Sequence, residues 1–266
     1  MPKENIADAS RPNPGRIYDY ILGGNHNFEV DRQAAEQLLK LLPFTAKHAR
    51  LQRWALQDIA VEFSERRGYD LIIDFASGLP TNDHIHHKVA AGTTVIYSDH
   101  DPVVVEYARE ILGNTPNVYV FEADARRPEE LLDRLEVQRI LAGRRKAGII
   151  YWGVSFFLED EALAHAAHFL YDWADAGSCW AFNVQGTGSS ITAAKEQVAQ
   201  MYERMGTKIY PRPLERMQEL LQPWHLDKDG FVSLLEWHGL DQKELAEEYA
   251  GYFGPTGGAY GAYLTK

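Results

Sequence analysis

Between Glu29 and Leu42 the apolar side chains fall at Val30, Ala34, Leu38, Leu41 and Leu42, the spacing of one helix face, and Pro43 closes the run. A second helix is predicted from about Thr45 to Arg67, ended by Gly68. The period then changes. DLIIDF (70–75), TTVIYS (93–98), NVYVFE (117–122), GIIYW (148–152) and SCWAFNV (178–184) are short runs rich in β-branched and aromatic residues and read as strands. Helical patterns lie between or after them near 83–91, 102–112, 128–142 and 159–175. Strands alternating with helices of this length predict βαβ units and a parallel sheet buried on both faces, a doubly wound α/β fold. A further helix is expected from about Ser190 to Met205. A strand-like Phe231–Trp237, a helix near Gln242–Tyr249 and a Gly/Tyr-rich Ala259–Leu264 follow, an ending that suits an antiparallel hairpin closing one sheet edge. The two helices before the first strand make an N-terminal extension, residues 1–68, ahead of an α/β domain at 69–266; the extension either caps the ligand crevice or packs as support.

Composition narrows the function more than the fold. The 266 residues are 45% hydrophobic and 24% charged, enough for a large core. A net charge of −11 without a Lys/Arg-rich run lacks the electrostatic footprint of a nucleic-acid or anionic-membrane binder, so a small-molecule substrate is expected. The single Cys179 excludes an intrachain disulfide and a cysteine-rich zinc site. Residues 1–10 (MPKENIADAS) lack the apolar core of a secretory signal, which points to the cytoplasm, and the most apolar stretch, 147–158, is too short to cross a bilayer as a helix. An exposed patch could make a homodimer, but exposure is not written in a sequence.

In open parallel sheets ligands bind beyond the carboxyl ends of the strands, where strand order reverses. The turn after the first strand, Asp74-Phe75-Ala76-Ser77-Gly78-Leu79-Pro80-Thr81, has one glycine where a dinucleotide loop carries G-x-G-x-x-G. It suits the close approach of an amino-acid moiety, with Asp74 able to hold an ammonium, better than a diphosphate. Asp99, at the tip of the second strand with His100 and Asp101 beside it, can accept from both hydroxyls of a ribose. Asp124, followed by Ala125 after the third strand, can accept from an exocyclic amine such as adenine N6. A lone acid at a strand tip is commonly a helix cap; three in order describe a nucleoside site without a phosphate site.

These residues carry a resemblance. Arg16-Ile17-Tyr18-Asp19-Tyr20-Ile21-Leu22-Gly23-Gly24 with Asn27-Phe28 and Asp31-Arg32, then 74–81 and 97–102, make the chain similar to class I S-adenosylmethionine-dependent methyltransferases, specifically the S-adenosyl methyltransferase family formerly catalogued as a domain of unknown function. The resemblance implies the seven-stranded, Rossmann-like methyltransferase sheet with S-adenosylmethionine as cofactor over the tips of strands one to three. By that analogy Asp74, Ala76, Ser77 and Gly78 hold the methionine part, Asp99 the ribose and Asp124 the adenine side. The family turn usually reads D-x-G-S-G-L-P-T, and here Ala76 stands at its first glycine. If that position needs φ > 0, alanine costs on the order of 1 kcal/mol; otherwise its methyl only narrows the loop.

The turn Gly23-Gly24-Asn25-His26-Asn27-Phe28 is either a helix–helix connection or, as the resemblance suggests, a lid in which Tyr18 and Asn27 donate to the methionine carboxylate and Phe28 shields the sulfonium. Arg50 and Arg53, one helical turn apart, pair with carboxylates at the site or lie on a solvated face. His84, His86 and His87 do not share one helix face, so no metal site is expected. The fourth-strand loop, Trp152 to Asp160, meets both cofactor and substrate in class I methyltransferases; Trp152 is its cofactor-side residue, and Ser155, Phe156 and Phe157 are candidates for a partly apolar substrate wall, with core packing as the alternative for the two phenylalanines. His86 and Asp19 are the candidate general bases. A methyltransferase acting on a small, partly apolar acceptor is thus expected, with a cofactor-binding sensor that has lost transfer as the alternative. A nicotinamide enzyme is disfavoured by the missing glycine fingerprint.

Overall fold

The computed structural model describes residues 10–81, 83–185, 193–240 and 259–266. Three helices come first: α1 (Pro14–Ile21), α2 (Glu29–Leu41) and α3 (Thr45–Val61), the last continued by a π-helical turn at Glu62–Arg66 that ends at Gly68 with φ +69°. Strands and helices then alternate: β1 (Leu71–Phe75), β2 (Thr94–Asp99), α4 (Pro102–Leu112), β3 (Val118–Glu122), α5 (Glu129–Leu132), α6 (Leu135–Leu141), β4 (Gly148–Tyr151), α7 (Asp160–Trp173) and β5 (Cys179–Gln185). After α8 (Ala193–Arg204) and α9 (Leu214–Leu220) come β6 (His225–Leu226), β7 (Val232–Ser233), α10 (Leu234–Trp237) and β8 (Ala259–Thr265).

Strand order is β3-β2-β1-β4-β5-β8-β6, with β7 paired to β8; the first five strands are parallel, and β8 runs antiparallel to β5, β6 and β7. The sheet therefore has eight strands among the described residues, one more than expected, because the segment before β8 contributes two short strands. The C-terminal strand does not simply close an edge: β8 is inserted between β5 and β6. Order reverses between β1 and β4, which places the switch point above Asp74; in register, this residue lies opposite Tyr97 of β2 and Ile150 of β4.

Both faces of the central strands are covered, which is why these strands are apolar at successive positions. Ala55, Leu56, Ile59, Ala60 and Phe63 of α3 and its extension pack on Ile72, Val95, Tyr97, Ile150 and Ala181. On the opposite face α5, α6, α7 and α9 cover Leu71, Ile73, Phe75, Ile149, Tyr151 and Trp180. A third cluster joins Ile17 and Ile21 of α1, Ala35 and Leu38 of α2 and Val198 of α8.

Local chemistry accounts for the departures from periodicity. Phe231–Trp237 is not one strand: the Ser233 hydroxyl accepts from Glu236 N at 3.2 Å and caps the turn α10. Residues 83–91 form only a 3₁₀ turn at Ile85–His87, because His84 and His86 both turn their Nδ1 to the Tyr97 hydroxyl at 2.9 Å. The 128–142 pattern is interrupted at Asp133-Arg134, giving α5 and α6. The predicted helix near Gln242–Tyr249 lies outside the described residues. Among the described residues no helix is long and apolar enough to cross a membrane.

Candidate active site

A cavity of about 630 Å³ lies between the carboxyl ends of β1–β4 and the helices α1, α3 and α8, within the usual range for a small-molecule site. The turn after β1 enters it through Ala76, Ser77 and Gly78. Ala76 sits at φ +53° and Gly78 at φ +65°, so the backbone doubles back sharply enough for Ser77 N to donate to Ser98 O at 2.9 Å and Gly78 N to Asp99 Oδ2 at 3.1 Å. Among the described residues no heavy atom stands within 4 Å of where a Cβ on Gly78 would be. Position 76 therefore is one that needs φ > 0, and the methyl group of Ala76 carries that conformational cost.

Asp99 and Asp124 both border the cavity from the tips of β2 and β3. Asp99 is buried, 7% exposed, and its Oδ1 also accepts from Asp101 N at 3.0 Å. His100 beside it borders the cavity, and its pKa is raised by a hydrogen bond to Asp99 that outweighs partial burial. Arg126 grips Asp124 through Nε at 2.9 and 3.0 Å and Nη2 at 2.5 Å. That charge-assisted pairing and the Arg126 backbone bond hold the Asp124 carboxyl below its ordinary pKa against the opposing effect of burial. Ala125, also at the cavity, is fixed by the Tyr151 hydroxyl donating to its carbonyl at 2.8 Å.

Other residues singled out in the sequence lie elsewhere. Asp74 is 1% exposed and does not border the cavity; burial raises its pKa, its Oδ2 lies 4.0 Å from His84 Nε2, and its Oδ1 has no hydrogen-bond partner among the described residues. Asp101 caps α4 through Val103 N at 2.8 Å and accepts from the Asn13 side chain, the N-cap of α1. Gly23, with φ +86°, turns the chain out of α1. Gly24 has no room for a side chain, since a Cβ there would stand 2.0 Å from Asp19 Oδ1. Asp19 Oδ2 accepts from His26 N and Asn27 Nδ2, both at 2.9 Å, and Asn27 also donates to Gly24 O at 3.0 Å. Phe28 packs under the Arg16 guanidinium, 5.2 Å from its ring centre, and beside Tyr107 of α4. Asn27 and Phe28 thus face α1 and α4, away from the cavity, whereas Tyr18 and Asp19 border it. The Tyr18 hydroxyl donates to Ala49 O at 2.9 Å, and burial raises its pKa.

His86 is also removed from the cavity, beside Tyr97 and His87, with burial holding its pKa down to about 4. Among the described residues no group of three His, Cys, Asp or Glu side chains is placed to hold a metal ion. Of the fourth-strand loop, Trp152, Val154, Phe157 and Leu158 line the cavity. Ser155 is turned inward, donating to Asn183 O at 2.6 Å, and Phe156 packs on Phe157 while its carbonyl accepts from Tyr210 N at 2.7 Å. Phe157 meets Tyr202 of α8 edge to face at 5.5 Å.

Of the two arginines singled out in the sequence only Arg53 reaches the cavity, and two further features had no signal in the sequence. Arg53 borders the cavity while only 5% exposed, and its Nε and Nη1 have no hydrogen-bond acceptor among the described residues; Arg50, one turn away, is exposed. A buried relay runs from Gly153 N to Asn183 Oδ1 at 2.6 Å, from Asn183 Nδ2 to Gln52 Oε1 at 3.0 Å, and from Gln52 Nε2 to His48 Nε2 at 2.6 Å. A backbone N–H can only donate, so each amide in turn is oriented and the His48 Nε2 must supply a lone pair. Burial holds the His48 pKa down to about 4, so the ring is neutral with its proton on Nδ1. Finally, the buried Arg212 donates to the carbonyls of Ser155, Leu158 and Tyr210 and to Asp160, clamping the segment after α8 onto the fourth-strand loop. Each depends on partners that are far apart in the chain.

The chain is similar to known proteins in sequence family and in fold. A family model described as S-adenosyl methyltransferase matches residues 2–258. The fold is similar to the crystal structure of a candidate methyltransferase from Thermobifida fusca YX (TM-score 0.83, 25% identity, 100% of this chain and 98% of that one). It is equally similar to a DUF574 family protein from Streptomyces avermitilis (TM-score 0.84, 25% identity, 98% of this chain and 100% of that one). An O-methyltransferase family 2 protein from Planctomyces limnophilus, in complex with apigenin, shares the fold at 13% identity (TM-score 0.50, 88% of this chain and 61% of that one). No curated protein matches the sequence.

Proposed function

Because this chain belongs to the S-adenosyl methyltransferase family and is an S-adenosylmethionine-dependent methyltransferase, we propose that it methylates a small, partly apolar acceptor held beside the fourth-strand loop. The observation that carries this reading is the division of the cavity by strand order. Two of its carboxylates, Asp99 and Asp124, stand at the tips of β2 and β3, on one side of the switch point, and its aromatic wall, Trp152, Phe157 and Tyr202, stands over β4 and α8 on the other.

The residues fit the cofactor. Asp99 is the acceptor for the ribose hydroxyls, with His100 beside it; Asp124 and Ala125 face the adenine edge; Ala76, Ser77 and Gly78 pass under the methionine part, where Gly78 leaves open space. When bound, S-adenosylmethionine supplies an electrophilic methyl group on a sulfonium. The protein's work is then alignment and exclusion of water. Helices α1 and α3, within the 1–68 extension, serve as the cap, and Tyr18, held neutral against Ala49 O, forms part of its inner surface. Asp19 remains the proton acceptor for acceptors that need one, because it reaches the cavity; His86 serves instead to brace the turn after β1 through Tyr97. His48, neutral and with Nε2 already accepting from Gln52, orients rather than deprotonates.

Calorimetric titration with S-adenosylmethionine and S-adenosylhomocysteine tests the cofactor assignment. We expect binding by the wild type and at least about tenfold weaker binding by Asp99→Asn, which keeps the shape but loses the charge that strengthens the ribose hydrogen bonds. An unchanged affinity removes Asp99 from the site. A screen of aromatic and aliphatic hydroxyl, amine and thiol compounds, read by S-adenosylhomocysteine release, tests the acceptor class; methylation of protein or nucleic acid alone would overturn it.

A further inference from the structure

We infer that Arg53 is an anchor for a carboxylate, and that the carboxylate is that of the cofactor's methionine moiety, held from the N-terminal extension and not from the sheet. The inference rests on the cofactor reading above. Arg53 lies on α3, 5% exposed, yet it borders the cavity. Its Nε and Nη1 are buried and have no hydrogen-bond acceptor among the described residues. Its ion-pair partner is the Asp83 carboxylate, whose Oδ1 stands 3.9 Å from Nε, outside hydrogen-bond distance, on a side chain that is 48% exposed. The Tyr18 ring lies 5.6 Å from the guanidinium carbon and its side chain hydrogen-bonds the guanidinium, contacts that stabilise the cation but leave Nε and Nη1 without an acceptor among the described residues.

Such a group is costly in a folded chain. A buried guanidinium keeps its charge at any physiological pH, and leaving its donors unpaired forfeits hydration without a replacement. A buried guanidinium with unpaired N–H groups matches a carboxylate, whose oxygens accept charge-assisted hydrogen bonds. Its place in the fold selects which carboxylate. The charge of Arg53 acts on Asp74 and His84, and His84 in turn approaches Ser77 O at 3.2 Å, so the guanidinium stands beside the turn after β1. The aromatic wall proposed for the acceptor lies across the switch point from that turn.

The experiment compares two ligands on the same protein. S-adenosylhomocysteine carries the carboxylate, and 5′-methylthioadenosine has the same nucleoside and sulfur without the amino-acid end. In Arg53→Met we expect S-adenosylhomocysteine to bind on the order of 100-fold more weakly, as for loss of one partner of a buried charged hydrogen bond, with 5′-methylthioadenosine unchanged. The ligand-free variant should melt at or above the wild-type temperature, because an unpaired buried charge has been replaced by an apolar side chain. Arg53→Lys, which keeps the charge but not the planar set of donors, should recover part of the affinity. Equal weakening of both ligands together with a lower melting temperature would make Arg53 a structural residue and overturn the inference. An unchanged affinity for S-adenosylhomocysteine would overturn it too, and would assign the guanidinium to a carboxylate on the acceptor. If the wild type binds 5′-methylthioadenosine as tightly as S-adenosylhomocysteine, no anchor exists; if it binds neither, the cofactor reading beneath the anchor fails with it.

Discussion

Ala76 shows how one backbone angle can matter more than a side chain. At φ +53° it holds a conformation that strains a Cβ, while the hydrogen bonds of Ser77 N to Ser98 O and Gly78 N to Asp99 Oδ2 keep the turn closed around it. Ala76→Gly should therefore stabilise the protein by roughly 0.5–1 kcal/mol, net of glycine's larger loss of chain entropy, when measured by urea denaturation. A glycine that destabilises would show that the methyl packs well enough to repay the strain. The sequence identified this position by its departure from the family turn; only the backbone angle of the folded chain decided that the departure carries a conformational cost.

The His48–Gln52–Asn183–Gly153 relay joins α3 to β5 and to the loop after β4, elements brought together only by the sheet. His48 is neutral in the fold because burial lowers its pKa to about 4, whereas in the unfolded chain it titrates near 6.5. Between those values the unfolded state binds more protons, so this contribution is complete above about pH 6.5 and is lost as pH falls towards 4. The pKa difference corresponds to on the order of 3 kcal/mol. Denaturation curves at pH 7 and pH 4.5 should show less of this acid loss in His48→Gln than in the wild type. An identical pH slope in the two proteins would mean that His48 is not the group responsible. Periodicity placed His48 on a helix, but the relay needed residues up to 131 positions apart, Gln52 with Asn183.

At the scale of the molecule, the cavity is bounded by two parts of the chain that fold by different patterns: helices ahead of β1 and the strand tips of the sheet. A ligand that binds there ties them together. At a concentration 100 times its Kd, S-adenosylhomocysteine should raise global stability by about 2.7 kcal/mol. Hydrogen exchange should slow in α1 and α3 as well as in the turns after β1, β2 and β3. Protection confined to the turns would mean that the extension supports the sheet without closing the site.

The order of strands and helices, the parallel central sheet and the acids at the tips of β2 and β3 were determined by the sequence itself, because hydrophobic period and turn chemistry are local properties. Tertiary structure decided which of the marked residues face the cavity. It put Asp99, Asp124, Tyr18 and Phe157 there, and set Asn27, Phe28, Ser155 and His86 against other partners. It also exposed the unpaired donors of Arg53, for a buried donor is known to be unsatisfied only when every neighbour, however remote in the chain, has been placed around it.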